Sequence, residues 1–197
     1  MRILCYILVI ALTVLTGCRP KSLTAGDYAA YIADESNGLR KHVVVGETTV
    51  SVSYRPTDLM VKQTLVTNVT AAAINEKRKQ YSSYMYFVFG LSAGDRDALH
   101  ATHGEMYSEL LQTLSFRVND FVTLTTSAGD TIPVGDFMLD RTYGMNASTD
   151  VLIVFSGEKA RGKDWVQFNV NEFGLGVGNQ RFRFDMRTLE GCPAVRF

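Results

Sequence analysis

Apolar residues are spread along this chain in three patterns, and each predicts a different kind of element. The first is an uncharged apolar stretch from Ile3 to Leu15. The second is recurrence at three- and four-residue spacing, which lays one face of a helix against a core. Tyr28, Tyr31 and Ile32 share such a face within Asp27–Glu35, with Asp27 as N-cap and Asn37-Gly38 as the stop. Pro56-Thr57-Asp58 opens a longer helix that runs through Leu59, Leu65, Val66, Val69 and Ile74 to about Gln80. Its end, Glu76-Lys-Arg-Lys79, complements the helix dipole, and lipid headgroups are the functional counterpart of such a cluster. A further helix is predicted from His103 to Leu114, with Met106, Leu110, Leu111 and Leu114 on one side.

The third pattern is alternation with a period of two, the mark of a half-buried strand. His42–Val45 and Thr49–Tyr54 flank Gly46-Glu47 as a hairpin, and Tyr84–Leu91 is the most apolar-aromatic run, a central strand. Beyond Phe116 short strands follow at Phe116–Val118, Phe121–Thr126, Thr131–Phe137, Val151–Phe155, Trp165–Val170 and Arg181–Met186, separated by turn residues. Together they predict a mainly β, α+β domain over residues 27–197: an antiparallel β-sandwich-like core with a short N-terminal helix and two further helices.

The leading apolar stretch has a separate meaning. Arg2 before it and small residues after it form the layout of a secretory signal, and the stretch is short for a permanent span. Leu15-Thr16-Gly17-Cys18 resembles the lipobox of bacterial lipoproteins, which implies cleavage after residue 17 and lipid on Cys18. Residues 18–26 then form the lipidated cysteine and a tether. No aspartate and no acidic cluster follows Cys18, so by the same resemblance the expected address is the periplasmic face of the outer membrane.

Composition narrows the partners. Of 20 basic residues Arg2 leaves with the signal, so 19 face 20 acidic residues in the mature chain, a net charge of −1. That balance argues against nucleic acid. Cys5 leaves with the signal and Cys18 carries lipid, so Cys192 alone remains and no intramolecular disulfide is expected.

Candidate chemistry is sparse. His100-Ala-Thr-His103, with Asp95, Asp97 and Glu105 nearby, has a spacing that can converge on a metal ion from one helix. Solvated histidines at a loop-to-helix boundary are the commoner outcome. Gly174-Leu-Gly-Val-Gly178 has the glycine density of a phosphate loop, but a strand follows it where a dinucleotide site needs a helix, so it reads as a shaped hairpin loop. Asp136 and Asp140 read as solvated or capping. Asp130-Thr131-Ile132 resembles a Bacteroidetes O-glycosylation sequon, with Thr131 as acceptor. The aromatics around Trp165 and Phe168 serve a core or a ligand groove.

Tyr31, Asn37-Gly-Leu39, Val50 to Pro56 and Tyr81-Ser-Ser-Tyr-Met-Tyr-Phe87 together resemble small lipoproteins of Bacteroidetes. The resemblance implies an organism class and no activity. The expectation is a membrane-anchored envelope lipoprotein acting as a non-enzymatic binding or assembly module, without a cofactor, partnered by the membrane through its lipid and by other envelope proteins. The alternatives are a metal-dependent hydrolase on His100 and His103, or a carrier of a small apolar or glycan ligand.

Overall fold

The computed structural model describes residues 22–65, 69–141 and 145–197. The apolar leader, the Leu15–Cys18 motif and residues 66–68 of the long expected helix lie outside the described residues. In chain order the elements are β1 (Ser22–Leu23), α1 (Ala25–Ala33), β2 (Arg40–Val45), β3 (Thr48–Arg55), α2 (Thr57–Thr64), α3 (Ala71–Tyr81), β4 (Tyr84–Ala93), β5 (Arg96–Asp97), α4 (Ala98–Ala101), α5 (Gly104–Phe116) and α6 (Val118–Phe121). There follow β6 (Val122–Thr126), β7 (Thr131–Asp140), β8 (Thr149–Ser156), β9 (Trp165–Val170), β10 (Gln180–Asp185), α7 (Met186–Glu190) and β11 (Ala194–Val195).

One antiparallel sheet carries the fold, in the order β10-β9-β6-β7-β8-β4-β3-β2, with β5 added at the end of β4. Strand β7 turns the corner. Its first residues pair with β6 and its later ones with β8, and the register shifts at Gly135 between Val134 and Asp136. A Cβ at Gly135 would lie 3.3 Å from the Val154 carbonyl oxygen, so the bulge takes a residue without one. The corner folds the sheet back on itself into a nearly closed, barrel-like wrap: the Lys41 ammonium of β2 sits 5.9 Å from the Phe184 ring centre of β10.

The inward rows fill the wrap. Phe87 on β4 touches Tyr54 of β3, Phe155 of β8, Phe168 of β9 and Phe184 of β10, with ring centres 5.4–6.0 Å apart. It therefore joins both halves of the sheet. Phe89, Leu91, Val151, Ile153 and Leu124 are fully buried around it. Burying a side chain of this size stabilises the fold by about 1.5–3 kcal/mol. β1 pairs in parallel with β11, and the Tyr28 hydroxyl donates to the Pro193 carbonyl at 2.8 Å.

Several local expectations change. Helix α1 begins at Ala25 with Thr24 as its cap, whose hydroxyl accepts from the Asp27 amide at 3.1 Å, so residues 22–26, read from the sequence as tether, carry β1 and the start of α1. The helix expected from Leu59 to Gln80 is two. Leu65 leaves helical geometry in a stretch dense with β-branched residues, and Thr70 caps a new start through the Ala73 amide. Phe116 ends α5 and Val118 begins α6, with non-helical Arg117 between them, and Met186 begins α7.

Candidate functional site

The outer faces of β7, β8, β4 and β3 form a cleft walled on its far side by α2. Cross-strand register sets its floor. Asp140, Asp150, Gly90 and Ser51 make one row, and Met138, Leu152, Val88 and Ser53 the next. Arg55 from the end of β3 and Met60 and Gln63 from α2 complete a space of about 210 Å³ with Val88, Met138, Leu152 and the two aspartates. Met138 is 62% exposed at its mouth. An apolar floor with a few converging polar groups is the usual make-up of a ligand site.

The two aspartates face each other across adjacent strands, where like charges destabilise a sheet. Burial pushes the Asp150 carboxyl above its ordinary value. The Ser148 hydroxyl, donating to Oδ1 at 2.5 Å, and the nearby Arg55 and Arg40 oppose that rise, while Asp140 adds to it. Gly90 makes room for the arrangement, since a Cβ there would come within 2.9 Å of Asp150 Oδ1 and 2.7 Å of Ser51 Oγ. In the sequence, Asp150, Ser148 and Gly90 carry no motif. A glycine inside the most aromatic strand was the one available signal of a close approach.

His100 and His103 do not converge. Helix α4 ends at Ala101, and His103 lies on extended backbone, so the helical spacing that would bring the two rings together is absent. Among the described residues no three His, Cys, Asp or Glu side chains are placed to hold a metal ion. Asp97, 3% exposed, instead caps α4: its Oδ1 accepts from the His100 amide at 2.9 Å, the His100 Nδ1 at 2.9 Å and the Thr149 hydroxyl at 3.0 Å. Burial pushes this carboxyl up, but those three bonds together hold it below its ordinary value. His100 is thereby fixed at the edge of a small 60 Å³ cavity with Tyr107, Leu111 and Arg141.

The glycine loop does form an anion cradle, and the chain fills it itself. Gly174, Gly176 and Gly178 all have positive φ, which turns alternate amides the same way. The Glu172 carboxylate accepts from the amides of Phe173 at 3.1 Å, Gly174 at 2.8 Å and Gly176 at 2.9 Å, and from Gly178. Thr131 is exposed at the first position of β7. Phe168 lies in the core while Trp165 is on the opposite face of β9 with the Arg183 guanidinium 4.0 Å above its ring, so the two do not share a groove. Cys192 is half-buried, its thiol donating to the Thr188 carbonyl at 3.6 Å.

No protein-family model matches the chain. No curated protein matches it either. Among solved structures it is similar to the crystal structure of a protein of unknown function from Burkholderia pseudomallei, at 14% identity over 86% of this chain and 93% of that one, with a TM-score of 0.37. A likeness at that level carries no argument about the site.

Proposed function

We propose that the chain is a lipid-anchored envelope lipoprotein, on the periplasmic face of the outer membrane, whose domain is a binding module with the cleft over β7, β8 and β4 as its site. The observation that supports this reading is the opposed pair Asp140 and Asp150 at the end of an apolar row. Burial of the Asp150 charge, with Asp140 beside it, costs stability that Ser148 and Arg55 offset only in part, and a bound cation would lower that cost further. Met60, Val88, Met138 and Leu152 suit the apolar body of the same ligand. The ligand class is therefore an amphipathic cation, and a Lys or Arg next to a large apolar side chain in an envelope protein has that chemistry. The anchor rests on Leu15-Thr16-Gly17-Cys18.

Two measurements test the proposal. A photoreactive residue at Met138 in living cells is expected to give a discrete adduct that is lost in an Asp140→Asn, Asp150→Asn variant. The same probe at exposed Met106 on α5 is expected to give none. An adduct that survives the double variant refutes the cleft as the site. Intact mass of the native protein showing residues 1–17 retained or Cys18 unmodified refutes the anchor.

A further inference from the structure

We infer that the α2–α3 end of the domain rests on an anionic lipid surface, which orients the cleft-bearing barrel; the inference rests on the lipid-anchor reading. Chain length sets the distance. Only four residue steps separate Cys18 from Ser22 in β1, so a lipidated Cys18 holds that strand within about 14 Å of the bilayer. β1 lies against β11, and two residues beyond β11 the Phe197 ring has Lys62 Nζ at 5.5 Å and the Arg78 guanidinium at 5.3 Å. The anchor, the C-terminus, α2 and the last turns of α3 therefore share one end of the barrel.

That end has the right chemistry. In helix α3 Ala71 and Ala72 are exposed, Ala73 and Ile74 are half-buried, and Val69 just before it is 44% exposed. Its far end presents Lys77 and Lys79, while Arg78 is spent on Asp58 at 2.6 and 2.8 Å. Exposed small apolar residues followed by cations describe a segment lying in a headgroup region. Over all the segments at this end (22–39, 56–83, 127–130, 157–164 and 186–197) nine cations balance nine carboxylates, and Arg19 and Lys21 precede them in the sequence. The opposite end is acidic. Its segments 46–47, 94–121, 140–148 and 171–179 hold eight carboxylates against Arg96, Arg117 and Arg141. The acidic end of the barrel thus lies away from the anchor and the balanced end lies beside it. An anionic surface repels the acidic far end and attracts the lysines at the end of α3.

The test is hydrogen exchange of the full lipidated chain on vesicles of phosphatidylcholine with phosphatidylglycerol, against phosphatidylcholine alone, with flotation run on each. Amides of residues 69–81 are expected to exchange at least about threefold more slowly on the anionic vesicles, with those of α5 unchanged. A Lys77→Glu, Lys79→Glu variant is expected to float equally and lose the difference. Equal exchange on the two vesicles, or slowing on α5 instead, overturns the orientation while leaving the anchor intact. A chain that floats on neither, like its Cys18→Ala control, overturns the anchor and this inference with it.

Discussion

The two faces of β4 and β8 are built from the same ten and eight residues yet obey opposite rules. Inward, Met85, Phe87, Phe89 and Leu91 oppose Phe155, Ile153, Val151 and Thr149 with almost no exposure. Everything there lowers the free energy of the folded chain. Outward, Val88 and Leu152 are left partly open, Gly90 gives up its side chain, and Asp150 faces Asp140. Nothing in the folding of the sheet calls for a partly buried carboxylate opposite another. The inward face is explained by stability alone, and the outward face is where the proposed ligand site lies.

The contrast breaks first at the hub. Phe87→Ala opens a cavity where rings from β3, β8, β9 and β10 meet, and is expected to destabilise the protein by about 3–5 kcal/mol in a denaturant titration. A cost under about 1 kcal/mol would mean that the two halves of the sheet do not share this core. Next in size is Thr149→Val, close in shape, at the inward start of β8. It removes the hydroxyl that donates to Asp97 and accepts from the Leu99 amide at 3.0 Å, leaving buried partners unmatched. The expected loss is about 1–3 kcal/mol, checked by the same titration, with faster hydrogen exchange in α4.

These features were unequally legible in the sequence. Alternation located β9 to the residue and β3 and β10 to within one, because each presents one apolar face to a core. The break between α2 and α3 was hidden because Leu59, Leu65, Val69 and Ile74 still fall near helical spacing. Only the Thr70 cap and the non-helical Leu65 reveal it. The cleft was not legible. Asp140 looked like a turn residue, and its opposition to Asp150 depends on a register shifted by the Gly135 bulge, which no local pattern encodes. His100 and His103 misled for the converse reason: spacing implies convergence only if the helix continues between them, and α4 stops at Ala101.

The glycine loop sharpens the comparison at lower cost. The Glu172 carboxyl is pushed up by burial but held below its ordinary value by the amides of Gly176, Gly178, Gly174 and Phe173. Its contribution is therefore present above the ordinary glutamate range and lost as pH falls through the lowered folded-state value. Glu172→Gln is expected to cost about 0.5–1.5 kcal/mol at neutral pH, with faster exchange at Gly176. The gap to wild type should close below the glutamate range. A gap independent of pH would mean that the loop is held by glycine geometry and not by its carboxylate.

The smallest effect on stability is the most informative, because its sign differs. For Asp150 the folded-state value is raised, chiefly by burial and to a lesser degree by Asp140, so the group favours folding only below the ordinary carboxylate range, and that benefit is lost as pH rises through the raised value. At neutral pH the buried Asp150 charge is a liability. Asp150→Asn keeps an acceptor for the Ser148 hydroxyl and removes the charge. It is expected to leave the melting temperature unchanged or slightly higher at pH 7, lower relative to wild type in acid, and to abolish the Met138 adduct. Substitutions on the inward face lose stability at every pH. If Asp150→Asn did the same, the outer carboxylate would be part of the scaffold, and the distinction between the two faces of β8 would fail.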